Sequence, residues 1–298
     1  MTQNKCCRHG ANLRRRRRRC RKILRSIIFS CSIIAAAVFV AVGSSMIRSG
    51  DGRTNKYDVE AGNNTYDNAV IENSKISEKN KIQNNQSMLD DIMNSTQYPK
   101  QLKDLALKNE EALEFVYDYP AEHVKEHTID LTEEASMDSV PLFVQWDKRW
   151  GYEKYSGNFF AASGCGPTTL SMVVVYLTHN REASPIAVAK YSKEAGYSVD
   201  GSGSSWTLIS EGCRHYGVKA KTVALDESRM KAELDAGHPI VINVGPGDFT
   251  DTGHFMVITG YDDEGFSIND PNSIEKSGKR WLFRNISSQI RAVWSMYV

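Results

Sequence analysis

Several common metal-binding and nucleotide-binding motifs are absent from this sequence of 298 residues. It contains neither a C-x-x-C pair nor the H-E-x-x-H motif, and no P-loop for phosphate groups. No internal repeat is visible. The six cysteines do not form a disulfide framework, because only Cys165 and Cys213 follow the hydrophobic segment near the N-terminus. We therefore expect no metal and no cofactor.

Negative charge is absent from the first 25 residues, which hold eleven lysines and arginines. Residues 26–47 follow without any charge. As a helix they would span about 33 Å, enough for a hydrocarbon core of about 30 Å. Because positive residues stay on the cytoplasmic side, we predict a basic cytoplasmic tail (1–25), a transmembrane helix (26–47) and an extracytoplasmic remainder in a single-pass cell-membrane protein.

Other interpretations of this end of the chain remain open. The apolar segment could be a signal peptide cleaved near Ala41-Val42-Gly43, which would release a secreted form. A lipoprotein site at Cys31 is less favoured, since little apolar sequence precedes it. The arginine run could bind nucleic acid, but no aromatic or fold context accompanies it. Contact with anionic lipid or a role in topology is favoured, and no nucleic-acid partner is expected.

The remainder divides into three parts by composition. Residues 48–89 are polar and rich in asparagine, which predicts a flexible linker. Residues 90–139 form a helical lead-in, with Pro99 in a helix first turn and Pro120 as a stop. Its apolar positions are those of the buried faces of two short helices: Leu102, Leu105, Ala106, Leu113, Phe115 and Val116. The main domain occupies residues 140–298.

Helices precede strands in the main domain. The patterns predict a buried helix over 166–177 and two more over 184–195 and 205–216. Strand patterns then follow at residues 218–223, 239–244, 254–261, 266–270 and 292–298, with a hairpin turn over 262–265 and the last strand closing the sheet. This order indicates an α+β fold.

Cys165 lies between two glycines where the first buried helix begins, in SGCGPTT. Gly164 and Gly166 would let a substrate backbone approach closely. The helix N-terminus favours a thiolate, and its free N–H groups can stabilise an oxyanion. The alternative is that Cys165 is a small apolar residue buried at a tight turn.

A histidine and an acid support the catalytic interpretation. His254 opens a strand, and Asp270 ends the next strand 16 residues later. If the hairpin forms, both lie near the same end of paired strands, as a base and the group that orients it. Asp248 and Asp251 compete with Asp270, but they lie in a loop rich in glycine and proline.

The motifs QWDKRW, SGCGPTTLSM, GHFMVITGY and INDP together resemble the bacterial cysteine peptidases related to the bacteriocin-processing, double-glycine peptidases. The resemblance extends from about Tyr98 to the C-terminus. It implies a papain-like fold and a Cys165-His254-Asp270 triad. It also implies an upstream glutamine that donates to the oxyanion. Phe159 stands six residues before the cysteine, where papain-like enzymes often carry that glutamine, so Gln145 is the candidate.

The remaining residues receive simpler assignments. Gln145 has a second interpretation, in which it only holds its own loop. Trp206, after a Gly-Ser loop, is the best candidate to line a substrate cleft together with the two glycines, and Cys213 is predicted to lie in the core. Local or solvated roles are expected for the histidines at 123, 127, 179, 215 and 238.

The combined hypothesis is a membrane-anchored cysteine peptidase that cleaves peptide or protein substrates through an acyl-enzyme thioester. Two alternatives remain open. One is a papain-like surface module that binds without turnover. The other is an amidase that acts on cell-wall peptide.

Overall fold

A computed structural model describes the backbone of residues 64–298 and the side chains from residue 75 onward. The basic tail (1–25), the predicted membrane span (26–47) and the first part of the predicted linker lie outside the described residues. Within 64–298, no helix combines the length and the apolar character needed to cross a membrane.

A long helix replaces most of the predicted linker. Helix α1 (Asn64–Asn94) has 31 residues, so the prediction of a flexible linker over 48–89 is wrong from Asn64 onward. The physical reason is twofold. The segment contains no glycine or proline to interrupt a helix. In addition, its C-terminal end is anchored, since Ile92 is fully buried and Met88 and Leu89 pack against the same cluster.

The lead-in is helical, as predicted. Its elements are α2 (Lys100–Lys108), a 3₁₀ turn (Glu110–Ala112), α3 (Leu113–Tyr117) and α4 (Tyr119–Glu122). All six predicted apolar positions are buried, and they pack with Phe159 and Ala161 of the following segment. Pro99 directly precedes α2 as its N-cap residue, one position before the predicted first turn, and Pro120 lies in the first turn of α4 instead of ending a helix. Proline needs no amide partner there.

The next part of the chain, up to Tyr216, contains helices and two short hairpins. It contains a 3₁₀ turn (Glu134–Ser136), the hairpin β1 (Lys154–Tyr155) and β2 (Asn158–Phe159), α5 (Phe160–Ser163), α6 (Cys165–Thr178), α7 (Pro185–Glu194) and the hairpin β3 (Ser198–Val199) and β4 (Gly203–Ser204). The helix predicted over 205–216 is divided into α8 (Thr207–Ser210) and a 3₁₀ helix (Gly212–Tyr216). Gly212, a poor helix former, packs against the Tyr197 ring at the division.

An antiparallel sheet forms the second half. Its strands are β5 (Lys219–Thr222), β6 (Ile240–Val244), β7 (His254–Asp262), β8 (Gly265–Asn269), β9 (Arg280–Trp281) and β10 (Ile290–Tyr297), with the order β5-β10-β6-β7-β8-β9. Helices α9 (Glu227–Asp235), α10 (Ile274–Ser277) and α11 (Phe283–Ile286) and a 3₁₀ turn (Ser287–Gln289) lie between them. The fold is mixed helix and sheet. The last strand lies inside the sheet, between β5 and β6, and does not close its edge.

Both faces of the central strands are covered. All five residues of β6 are buried. Because successive side chains point to opposite faces, Val241 joins the cluster that includes α6, while Ile240 and Ile242 join a second cluster on the other face. A continuous apolar strand is expected when both faces are covered. This packing holds α6 against β7, and these two elements carry Cys165 and His254.

Candidate active site

Cys165 is the first residue of α6, as predicted. Its thiol forms no disulfide, and the residue as a whole is partly exposed. The peptide N–H groups of a helix first turn have no partner within the helix, and they carry partial positive charge. The helix therefore begins with a thiol beside backbone donors.

His254 and Asp270 meet as the hairpin argument predicts. Strands β7 and β8 pair in antiparallel register, with Val257 opposite Asn269. His254 is buried at the start of β7, and its Nε2 lies 2.7 Å from Asp270 Oδ1. Since Nε2 is engaged with the carboxylate, Nδ1 is the ring nitrogen left to face the Cys165 sulfur.

The thiol and the imidazole shift each other's titration. Burial raises the pKa of the Cys165 thiol, but hydrogen bonding with His254, the charge of His254 and the backbone N–H groups of Phe255 and Gly166 bring that pKa below its ordinary value. Burial lowers the pKa of His254, yet the charge of Asp270 and the hydrogen bonds with Asp270 and Cys165 raise it well above its ordinary value. Both directions favour a thiolate paired with an imidazolium.

Asp270 is held firmly on one side. Its Oδ1 also accepts from the Asn272 N–H at 2.8 Å, and its own N–H donates to Ser277 Oγ at 2.8 Å. The other carboxylate oxygen is buried and has no hydrogen-bond partner among the described residues. Asp248, a competing candidate, accepts instead from Gln289 Nε2, and Asp251 is exposed.

Sequence reasoning missed polar contacts around α6 and β7, the two elements that carry Cys165 and His254. Thr169, one turn after Cys165, donates from Oγ1 to the backbone carbonyl of Phe255 at 3.0 Å. Asn243 of β6 donates to the carbonyl of His254 at 3.2 Å. The four residues that these two hydrogen bonds join are all buried. A threonine four residues after the cysteine on a helix was the only available signal.

The two glycines beside Cys165 have a packing reason in the structure. A Cβ on Gly164 would lie 2.6 Å from the Phe160 ring, and a Cβ on Gly166 would lie 2.5 Å from Ser204 Oγ. The atoms that require glycine at these two positions are thus side chains of the protein itself. The sequence had led us to expect that the glycines make room for a substrate backbone. Trp206, two residues after Ser204, is 47% exposed and packs edge-on against Trp294.

Comparison with known proteins adds the family. The sequence matches the Peptidase C39 like family over residues 137–298, more than half of the chain. The chain belongs to this family. The match includes the candidate triad and Gln145, whereas α1 to α4 precede it. No curated protein matches the sequence.

Two solved structures resemble this C39-like chain at low identity. One is the peptidase domain of Streptococcus ComA, a bifunctional ABC transporter involved in a quorum-sensing pathway. It has 19% identity and a TM-score of 0.37, and the match covers 45% of this chain and 90% of that one. The other is a putative C39-like peptidase from Bacillus anthracis, with 18% identity, a TM-score of 0.33, and coverage of 53% and 95%.

Gln145 of this C39-like chain lies close to the turn that precedes Cys165. Its Nε2 donates to the Ala161 carbonyl at 2.8 Å, and its backbone N–H donates to the Pro271 carbonyl at 2.7 Å. Its Oε1 is buried and has no partner among the described residues. An amide nitrogen has two hydrogens, so one remains for an oxyanion. The contact with Ala161 also fits the alternative in which Gln145 holds its loop.

Cys213 and the histidines outside the site have local roles. Cys213 is fully buried and free, and burial raises its pKa to about 11. The five histidines expected to be local each contact neighbouring backbone, a carboxylate or an aromatic ring. His123 and His127 belong to an H-x-x-E-H sequence, a pattern that can bind zinc on a helix. Here α4 ends at Glu122, so the helical face does not form.

Proposed function

We propose that this chain is a cysteine peptidase with a papain-like catalytic domain, in which Cys165 is the nucleophile, His254 its base and Asp270 the orienting acid. The observation that carries the proposal is the buried contact of His254 Nε2 with Asp270 Oδ1 at 2.7 Å, on a histidine that also interacts with a thiol at a helix N-terminus. Membership of the C39-like family supports a peptide or protein substrate.

The proposed reaction begins from the ion pair. The Cys165 thiolate attacks the carbonyl carbon of a peptide bond, and His254 Nδ1–H gives its proton to the leaving amine as the C–N bond breaks. The resulting thioester is then attacked by water, from which neutral His254 takes a proton. Cleavage of the C–S bond releases the carboxylic acid and restores the thiolate. Asp270 maintains the tautomer of His254 and stabilises its cation throughout.

The oxyanion of both tetrahedral intermediates requires donors. The backbone N–H of Cys165, the first residue of α6, has no partner within that helix. We propose that it forms the pair with the second Nε2 hydrogen of Gln145. Loss of one oxyanion donor typically lowers kcat by about 100-fold to 1000-fold. A Gln145→Ala variant with unchanged hydrolysis would assign Gln145 to its loop alone.

The test combines a thiol probe with hydrolysis of a labelled, denatured protein by the full-length chain. We expect iodoacetamide at pH 6 to modify Cys165 faster than Cys213, as measured by peptide-resolved mass spectrometry. Hydrolysis should be lost in Cys165→Ala and retained in the matched control Cys213→Ala. Full hydrolysis by Cys165→Ala would refute the mechanism.

Two other functions make different predictions in the same experiment. A binding module without turnover, which the engaged Gln145 amide favours, would give rapid modification of Cys165 without hydrolysis of any peptide. An amidase would leave proteins intact but release amine from cell-wall peptide in a manner that depends on Cys165.

We further propose that residues 26–47 anchor the chain, with residues 1–25 in the cytoplasm and the catalytic domain outside the cell. The support is the charge pattern of the sequence. The full-length chain should remain in membranes after an alkaline carbonate wash, and protease added to intact cells should remove the catalytic domain. Release of the chain into the medium, with a new N-terminus after residue 43, would favour the cleaved signal peptide instead.

A further inference from the structure

The segment that follows Asp270 determines how its carboxylate points. The Asn272 N–H donates to Asp270 Oδ1, the same oxygen that meets His254. Residues 270 and 273 also form an isolated β-bridge. A displacement of Asn272 or Ser273 would therefore move the carboxylate relative to the imidazole.

Asn109 of the lead-in binds this segment directly. Its Nδ2 donates to the Asn272 backbone carbonyl at 2.8 Å and to Asn272 Oδ1 at 3.1 Å. Asn109 is buried, and its own Oδ1 accepts from the Glu111 N–H at 3.0 Å. One side chain therefore links the Asp270 segment to the 3₁₀ turn of the lead-in. Trp146 Nε1 supports the same carbonyl at 3.2 Å.

Glu111 binds the next residues of the segment. Its Oε2 accepts from the N–H groups of Ile274 at 2.7 Å and Glu275 at 3.0 Å, and its Oε1 accepts from the Ser273 hydroxyl. These N–H groups belong to the first turn of α10, where helices leave donors without internal partners. Hydrogen bonds to an ionised carboxylate are stronger than those between neutral groups. Glu111 thus fixes the segment from Ser273 to Glu275.

We propose that Asn109 and Glu111 are positioning residues for Asp270, and that the helices before residue 137 are consequently part of the active unit. The inference rests on the proposed triad, because a positioned Asp270 matters only if it orients His254. Both residues lie outside the region that matches the peptidase family. This chain therefore stabilises its catalytic acid with a segment that the family match does not include.

The experiment measures the rate of Cys165 modification by iodoacetamide at pH 6, in the full-length chain, with peptide-resolved mass spectrometry. Asn109→Ala and Glu111→Ala should each lower the rate about 3-fold to 10-fold. In both variants the Asp270 carboxylate should point toward His254 in a smaller fraction of molecules, so the thiolate fraction of Cys165 falls. Glu114→Gln is the matched control, an exposed glutamate one turn later in the lead-in. It should leave the rate unchanged.

A double-mutant cycle separates positioning from general destabilisation. In an Asp270→Ala background, Glu111→Ala should have no further effect on the rate, because the group it positions is gone. If Glu111→Ala does not fold, Glu111→Gln takes its place. The glutamine keeps one acceptor oxygen, so this variant should give an intermediate rate. Unchanged rates in both variants, or effects that add to Asp270→Ala, would overturn the inference. Slow modification of Cys165 in the unaltered chain would instead refute the triad itself.

Discussion

Two histidine–carboxylate pairs in this chain have similar geometry and different surroundings. His254 Nε2 lies 2.7 Å from Asp270 Oδ1, and His238 Nδ1 lies 3.0 Å from Glu233 Oε2. The first pair is buried and continues to the Cys165 thiol. The second is more exposed, and no cysteine contributes to the titration of its carboxylate. A hydrogen-bonded histidine and acid are therefore not sufficient evidence for catalysis.

The partners of Glu233 are structural. Besides His238, it accepts from Ser295 Oγ at 2.7 Å and pairs with Lys221 Nζ at 3.0 Å. Ser295 lies in β10 and Lys221 in β5, so Glu233 attaches helix α9 to two strands of the sheet. We therefore expect the His254–Asp270 pair to determine the reactivity of Cys165 and the His238–Glu233 pair to contribute only to stability.

Removal of His254 should give the largest effect. We expect His254→Ala to slow alkylation of Cys165 at pH 6 by roughly 100-fold, because a thiol of ordinary pKa, about 8.5, is almost wholly protonated there. Peptide-resolved mass spectrometry over pH 5–9 measures the change as a shift of the rate profile to higher pH. The control is His238→Ala, which should keep the original profile. Equal profiles for the two variants would remove the distinction between the pairs.

Asp270→Asn should have a smaller effect of the same kind. The amide keeps the shape of the carboxylate but removes the charge that raises the pKa of His254. The imidazolium is then less stabilised, so in more molecules the proton lies on the Cys165 sulfur and the thiolate fraction at pH 6 falls. We expect about a 10-fold lower alkylation rate at pH 6. Glu233→Gln makes the matching change in the other pair, and a comparable loss of reactivity there would contradict our assignment.

The site was predictable where local sequence sets the geometry. The turn Asp262–Gly265 fixes the pairing of β7 with β8, and this pairing places His254 beside Asp270. Helix-start residues likewise placed Cys165 at an N-terminus. The predicted α+β arrangement followed from runs of helical and strand periodicity, which are also local signals.

The missed features depend on distant contacts. Asn109 meets Asn272 across 163 residues, and Thr169 meets Phe255 across 86. No local pattern encodes such a pairing of polar side chains with backbone groups. Helix α1 was missed for another reason: its polar composition indicated disorder, although only its buried end at Ile92 needs apolar contacts.

Thr169→Val tests the contact between α6 and β7. Valine keeps the shape but leaves the buried Phe255 carbonyl without its donor, so we expect a loss of about 1–2 kcal/mol in the free energy of unfolding. Alkylation of Cys165 should slow about 3-fold. The neighbouring Thr168→Val is the control, since the buried Thr168 hydroxyl has no partner among the described residues. Its removal should be neutral or stabilising in a urea titration.

Glu233→Gln should leave the alkylation rate unchanged and reduce stability most at neutral pH and less in acid. The hydrogen bonds from His238, Ser295 and Lys221 lower the pKa of Glu233 to about 2 from an ordinary 4.5. A carboxylate with a depressed pKa contributes stability above its unfolded pKa, and this contribution is lost as the pH falls toward the folded value.

Thermal unfolding at several pH values measures this loss. After allowance for solvent screening, the contribution is about 2 kcal/mol at pH 7, which lowers the Tm of the variant by several degrees. At pH 3 the difference should be smaller, because the unaltered chain has then begun to lose the same contribution. Glu227→Gln, which removes an exposed pair with Lys231 on the same helix, should change the Tm little at either pH. A constant difference across the pH range would mean that the charge of Glu233 does not hold α9 to the sheet.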